Sequence, residues 1–363
     1  MTASGFSRTV WLVAEREILA KLRSKAFLIS TAVVVVVCLA GALLSGFSYA
    51  EQTRPVPIAA TADVVALVDD LPGLEVTSVA DREAAVELVR DGTVAAAVVA
   101  DPGPLGYRLV GDESVPATVL LALARTPQVE LLNPSGAADA GVGILVAVGF
   151  GLMFLMGASL FGATIAQSVI EEKQTRIVEI LLAAVPDRAL MAGKVIGNAL
   201  LALAQLTLFL GIGIGSLMAT GRVDIVAGLG APVGWFACFF VLGFVLLAAL
   251  FAAAGAMVSR QEDVGSTTFP LTMLIVAPYL LVIVFNDNPF ALAVMSYIPF
   301  SAPVAMPVRL FQGEAGWWEP LLSLALLAAT CAGAVWLGAR IYSNSLLRMG
   351  SRVPLAEALR GGR

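Results

Sequence analysis

The residues best placed to do chemistry in this chain lie in one strip, EEKQTRIVEILLAAVPDRALMAGK, residues 171–194, set between long stretches without a charge. Acids and bases mixed at that density form ion pairs and grip partners. They do not form a catalytic constellation. The chain has no histidine, so the commonest general base and metal ligand is missing. Cys38, Cys238 and Cys331 all fall inside apolar runs and read as small packing residues, not as disulfides or metal ligands. Gly193-Lys194 is followed by Val195 and lacks the earlier glycine of G-x-x-x-x-G-K-[ST], so this chain holds no phosphate cradle. No nucleophile stands beside a base at a recognisable spacing, and a membrane-embedded enzyme is the least supported class.

The elements that must position the strip are set by composition. Of 363 residues 59% are hydrophobic and 13% charged, against about 25% charged in an ordinary soluble domain. A span needs about 20 apolar residues, and six stretches qualify, at 26–50, 140–166, 195–219, 233–257, 267–286 and 320–341. The expected fold class is an α-helical polytopic membrane protein with six transmembrane helices and a small α/β extracytoplasmic domain between helices 1 and 2. With a cytoplasmic N-terminus, 15 of the 22 Lys and Arg fall inside and 7 outside. That asymmetry satisfies the positive-inside rule and puts both termini in the cytoplasm.

Two stretches need a decision. Ser48-Tyr49-Ala50 ends the first apolar run like a cleavage site, but the run and the segment before it are long for a signal peptide, so it is kept as a span. Residues 288–308 carry no charge yet contain Pro289, Pro299, Pro303 and Pro307. A continuous helix there would lose several backbone hydrogen bonds. Segment 287–319 is therefore expected to form broken helices dipping into the outer leaflet, tolerable only where other protein covers them. Trp317 and Trp318 are expected to anchor span six, and Arg309 to meet an external acid or a headgroup.

Residues 1–25 read as a cytoplasmic amphipathic interfacial helix, with Trp11, Ile18 and Leu22 near one face and Arg16, Lys21, Arg23 and Lys25 around the rest. A plain juxtamembrane charge cluster accounts for the bases equally well, though not for the apolar stripe. In residues 51–139, PVPIAA, LEVTSV, TVAAAVVA and YRLVG read as strands. DREAAVELVRDG reads as a helix with Asp81 as N-cap and Gly92 just past its end, and VPATVLLALA as a second helix. No chemistry is assigned to this module. In span three, Asn198, Gln205 and Thr207 are expected to bond across helices rather than to form an ion site.

Within the strip, Ile170, Ile177, Ile180, Leu181 and Ala184 recur at helical intervals and Glu172 and Arg176 stand one turn apart as an expected ion pair. Val185-Pro186 stops this helix, and Asp187 is expected to cap the next, which runs through Lys194 into span three. The result is a short amphipathic helix with its apolar face on the bundle or lipid. Its charged face is left to water or to a docking protein, and spacing leaves both open.

EEKQTRIVEILLAAVPDRALMAGKVIGNALLALAQL resembles the signature of type-2 ATP-binding-cassette (ABC-2) exporter permeases, in the branch described as sodium-efflux permeases. The matching positions are Glu171, Glu172, Lys173, then Arg176, Ile177, Glu179, Leu181 and Leu182, then Pro186, then Gly193 and Lys194. REILAKLRSKAF, which includes Arg16, Glu17, Arg23 and Lys25, resembles the family's interfacial helix. YIPFSAPVAMPVRLFQG, with Pro299, Pro303, Pro307 and Arg309, resembles its outer-face segment, and LLRMGSRVPL its cytoplasmic ending. The resemblance covers nearly the whole chain apart from the external domain, which looks shorter than is common in the family.

The resemblance implies a multi-pass plasma (inner) membrane permease that forms half of a translocation pathway and pairs with a second permease subunit, a copy or a relative. It takes force from two copies of an ABC ATPase subunit gripping residues 171–194. No cofactor is expected in this chain; ATP and Mg belong to the partner. The lipid bilayer is a partner and nucleic acid is not. The coupling helix would swing about Pro186 and move span three, while Gly162, Gly193, Gly197, Gly211, Gly213 and Gly215 would permit close helix contacts. A secondary transporter and a non-transporting scaffold displaying the external domain are the competing readings. The cargo is left open among Na⁺, drugs, lipids and peptides.

Overall fold

The computed structural model describes residues 3–40, 55–124, 140–346 and 358, without the single positions 26, 37, 38, 70, 72, 104 and 113. These fall into two compact units, one of Met1–Leu39 with Asn133–Arg363 and the other of Ala40–Leu132.

The larger unit is helical. α1 (Ala3–Leu22) and α2 (Phe27–Val36) precede the smaller unit in sequence, and the expected remainder of span one lies largely outside the described residues. After it come α6 (Ala140–Gln174), α7 (Ile177–Ala184), α8 (Asp187–Ala219), α9 (Val223–Met257) and a 3₁₀ turn at Gln261–Asp263. α10 (Val264–Val284), α11 (Pro289–Met295), α12 (Ala302–Gln312) and α13 (Glu319–Ser345) follow, and α3–α5 belong to the smaller unit. Among the described residues five helices are long and apolar enough to cross a membrane: α6, α8, α9, α10 and α13.

Helix ends differ from expectation mostly toward greater length. α6 continues to Gln174 and not to 166, because no glycine or proline interrupts AQSVIEEKQ, so Glu171, Glu172 and Lys173 ride on the end of a 35-residue helix. α8 begins at Asp187 with Pro186 in the N-cap position; the Asp187 carboxylate accepts only from the neighbouring Arg188 N–H (2.7 Å) and does not cap in the expected way. α9 begins at Val223, ten residues before the expected 233, and carries Pro232 within its length. Where helices are apolar on every side, polarity gives no stop signal.

α9 is the hub, packed against α6, α8, α10, α12 and α13. Its contact with α6 is built on phenylalanines. Phe150 stacks on Phe236 (ring centroids 4.5 Å), Phe154 meets Phe240 edge-on (6.0 Å) and Phe161 meets Phe244 (6.3 Å). Rings at i and i+4 on two helices interdigitate only where backbones approach. Gly157 and Gly162 sit beneath Phe240 and Phe251, so close that a side chain at either would collide with the ring. α11 and α12 are the expected broken helices, and residues 302–309 of α12 are buried throughout, against α6 and α9 among others, despite Pro303 and Pro307. The backbone groups those prolines free are thus shielded by protein.

The smaller unit matches the sequence reading closely. β1 (Val56–Thr61), α3 (Val65–Val68), β2 (Leu74–Val79), α4 (Arg82–Arg90), β3 (Ala96–Ala100), β4 (Tyr107–Val110) and α5 (Ala117–Leu123) form a sheet of order β2-β1-β3-β4 with helices on both faces. β1 runs parallel to β2 and β3; β4 is antiparallel to β3. Ile58, Ala60, Ala96 and Val98 pack on Val68, Val119 and Leu123, while Ala59, Ala97 and Val99 pack on Ala85 and Val89. Burial on both faces explains the unbroken apolar runs of β1 and β3. Asp81 accepts from Ala84 N–H (2.9 Å), and Gly92, at φ +70°, lets the chain leave α4.

Candidate functional site

The strip folds into three pieces: the end of α6, the short α7 and the start of α8. Arg176 separates the first two in the left-handed region (φ 57°), the only non-glycine there among the described residues. That geometry removes it from the expected pairing with Glu172.

Glu172 instead joins a buried cluster that ties three helices together. Lys194, at the foot of α8 and wholly enclosed, places Nζ 2.9 Å from Glu17 Oε1 of α1 and 3.0 Å from Glu172 Oε1 of α6. It also donates to Ser168 Oγ of α6. Arg16 bridges Glu17 (3.0 Å) and Glu172 from the outside. Two acids and two bases leave the cluster neutral, the condition under which charge survives burial. Burial pushes the Glu17 carboxyl up, but Lys194 and then Arg16 outweigh it, and its pKa lies below the ordinary value.

α1 reaches this cluster because α8 opens a path for it. A side chain at Gly193 would strike Val13 Cβ (2.5 Å), and one at Gly197 the carbonyl oxygen of Ala14 (2.8 Å). Gly211, Gly213 and Gly215 have nothing within 4 Å, so they do not serve the close contacts expected of them within this chain. Trp11 and Leu22 of α1 are exposed, whereas Val10, Val13, Ala14 and Glu17 are buried.

Lys173, next to Glu172, points elsewhere. Its ammonium donates to Ala256 O (2.7 Å) at the last turn of α9 and to Ser345 O (3.0 Å) at the end of α13. Lys173 stands in the last turn of α6, and the C-termini of α9 and α13 converge on its ammonium, each contributing a carbonyl and partial negative charge. Among the described residues no carboxylate forms an ion pair with it.

The remainder of the strip faces outward. Glu171, Arg176 and Glu179 are exposed, and so are Ile177 (43%) and Ile180 (74%); Leu181, Leu182 and Pro186 are half-buried and only Val178 of α7 is buried. α7 thus carries both charged and apolar side chains on its surface, and within this chain only its Val178 is fully buried against the bundle. Arg23 and Lys25 are also exposed and take no part in the cluster.

At the other end of α6, Arg309 of α12 is buried against Glu319 Oε2 (2.7 Å), Ser296 Oγ (2.9 Å) and Glu314 O (3.0 Å), and Tyr297 Oη donates to the same Glu319 oxygen (2.9 Å). The acid expected for Arg309 is thus the first residue of α13. Pro299 is half-buried between α11 and α12, and Trp317 is exposed. Ser168, the carbonyls of Ala256 and Ser345, and Glu319 escaped the sequence reading. A serine and two carbonyls carry no pattern, and Glu319 stood among other acids outside the spans.

A family model described as ABC-2 family transporter protein matches residues 25–340. The chain is similar to the uncharacterized protein YhaP of Bacillus subtilis (strain 168), 30% identical over 219 residues, which are 55% of this chain and 52% of that protein. It is also similar to the uncharacterized protein MJ1024 of Methanocaldococcus jannaschii, 24% identical over 219 residues, 60% of this chain and 53% of that one. The chain thus spans about half the length of these curated relatives. No solved structure matches it.

Proposed function

The chain belongs to the ABC-2 family of transporter membrane proteins, and from that premise we propose that it is the permease subunit of an ATP-driven exporter, forming half of the pathway and moved by separate ATPase subunits. The observation that carries the reading is the mounting of α7. A short helix with exposed Arg176, Glu179, Ile177 and Ile180 follows directly on two adjacent residues anchored in the bundle. Glu172 is tied to α1 and α8, and Lys173 to α9 and α13. A push on α7 therefore reaches four helices at once, and does not depend on the Pro186 joint alone. Exposed apolar residues ringed by charge suit a protein partner better than water. The α7 end is the cytoplasmic side in this reading, consistent with the excess of bases there, and the smaller unit is extracytoplasmic. Association with a second permease subunit completes the pathway.

The test is purification from membranes under mild detergent, with proteomic identification of what accompanies the chain. Recovery of a Walker-motif ATPase in near-equal amount, lost when α7 carries Glu179→Lys with Ile180→Asp, is the expected result. Recovery of the intact chain with no ATPase under any condition would overturn the reading.

A further inference from the structure

Beside its glycine-lined contact with α1, α8 carries a line of polar groups that starts at the ion cluster and runs on past it. Lys194, Asn198 and Gln205 are spaced i, i+4 and i+11, which places them on one helical face, and all three are buried, at 0%, 1% and 7% exposure. The expectation was that such groups would bond across helices. Asn198 Nδ2 instead donates back to Lys194 O of its own helix (2.8 Å), and Thr207, on an exposed position, likewise bonds only to Leu203 O. Asn198 Oδ1 and Gln205 Oε1 have no protein partner, and neither does Glu172 Oε2 at the foot of the same row.

The heights along the bundle agree with a continuous feature. Lys194 stands opposite Ser168 and Glu172, and Gln205 is eleven residues further, about 17 Å along the axis. Phe27 of α2 packs on Phe161 of α6 (5.9 Å), so Thr31, one turn beyond, comes to about the same height as Gln205. Thr31 Oγ1 is also buried without a partner. Three orphan acceptors therefore follow one line from the ion cluster up α8, and an orphan hydroxyl stands at the height where that line ends.

Orphan acceptors call for a donor. A metal cation is disfavoured, because Asn198 and Gln205 stand seven residues apart on α8, about 10 Å along the axis, too far for one ion to share their oxygens. Water supplies donors to each, and it bridges groups of this kind in protein interiors. We infer that the face of α8 bearing Lys194, Asn198 and Gln205 is a hydrated track, holding ordered water from the Glu172–Lys194 cluster to the level of Gln205 and Thr31. It stays wet at a depth where the other faces of α8 are apolar. The inference is independent of any ATPase or cargo.

Cysteine labelling in membranes tests it. With Cys38, Cys238 and Cys331 replaced by alanine, single variants Asn198→Cys, Gln205→Cys, Leu200→Cys on the exposed apolar face and Ala183→Cys on α7 are treated with a charged methanethiosulfonate. A hydrated track makes Asn198→Cys and Gln205→Cys react at least about tenfold faster than Leu200→Cys, because only a wetted thiol ionises. Rates equal to that of Leu200→Cys, with Ala183→Cys reacting normally, would overturn the inference. Should the cysteine variants not accumulate, Gln205→Leu decides. In a dry interior it removes an orphan and raises the thermal midpoint, which refutes the track, whereas loss of bound water leaves the midpoint unchanged or lower. Since each readout uses this chain alone, a negative result leaves the exporter reading standing.

Discussion

Lys173 Nζ lies 2.7 Å from the carbonyl oxygen of Ala256, joining the end of α6 to the end of α9 through an ammonium that forms no ion pair with a carboxylate among the described residues. A lysine is held here by backbone carbonyls at helix ends, where partial negative charge gathers. Removing the charge while keeping the length leaves those carbonyls without a donor. Lys173→Met is expected to cost about 2 kcal/mol of stability and to lower the thermal midpoint in detergent. An unaltered midpoint would show that the junction holds without the lysine.

The cluster around Lys194 makes a different prediction, because its charges cancel. Lys194→Met leaves Glu17 and Glu172 facing each other in a buried site where, among the described residues, Arg16 is the base still ion-paired with them, a loss on the order of 3–5 kcal/mol. Adding Glu17→Gln restores neutrality. The double variant is expected to be more stable than Lys194→Met alone, and a double-mutant cycle by thermal unfolding measures the coupling. Additive losses would mean that the two residues do not interact.

Acid should dissect the same site. The folded-state pKa of Glu17 lies below the ordinary 4.5. Its contribution to stability is therefore complete above that value and is lost as the pH falls through the lower folded-state pKa. Glu17→Gln lacks this contribution at every pH. The difference in thermal midpoint between wild type and Glu17→Gln should be constant at neutral pH and shrink below pH 4.5; a gap that widens there would contradict the pairing with Lys194.

The smaller unit's strands and its two main helices were legible because their signals are local, an Asp81 cap, a Gly92 exit and apolar runs of strand length, whereas the one-turn α3 at Val65–Val68 was not. Five of the six expected membrane helices were legible in position but not in extent, and most of the first lies outside the described residues. Apolarity finds Ala140–Gln174 without saying where it ends, since Gln167, Ser168 and Glu171 are all acceptable to a helix. The partner of Glu172 was the least legible feature. Sequence offers Arg176 one turn away, whereas the structure uses Arg16, 156 residues distant, because a left-handed residue at 176 turns the nearer base aside. Gly193 and Gly197 were correctly expected to admit a neighbour, but spacing could not say that the neighbour is α1.

That neighbour can be tested by volume. A leucine at Gly197 would meet the backbone oxygen of Ala14 at 2.8 Å, which a side-chain rotation cannot relieve. Gly197→Leu is expected to lift α1 from α8, cost at least about 1–3 kcal/mol and expose α1 to protease. Gly213→Ala, with nothing within 4 Å, should be harmless or gain a few tenths of a kcal/mol from helix propensity. Equal proteolysis of both variants would remove α1 from its assigned place.

The surface of α7 separates a structural role from a mechanical one. Ile180 is 74% exposed and Glu179 is also exposed, so within this chain neither supports the fold. Substitutions at such positions shift stability by no more than about 0.5 kcal/mol. If α7 docks an ATPase as proposed, Ile180→Asp should leave the thermal midpoint unchanged while abolishing recovery of that ATPase, because a carboxylate buried in an interface lacks a partner. Lys173→Met should do the reverse, retaining a bound ATPase through an intact α7 while weakening the connection from α7 to α9 and α13. ATP hydrolysis and substrate movement would then come apart in Lys173→Met and disappear together in Ile180→Asp. If instead both variants lost ATPase binding equally, Lys173 would belong to the docking surface and not to the joint behind it.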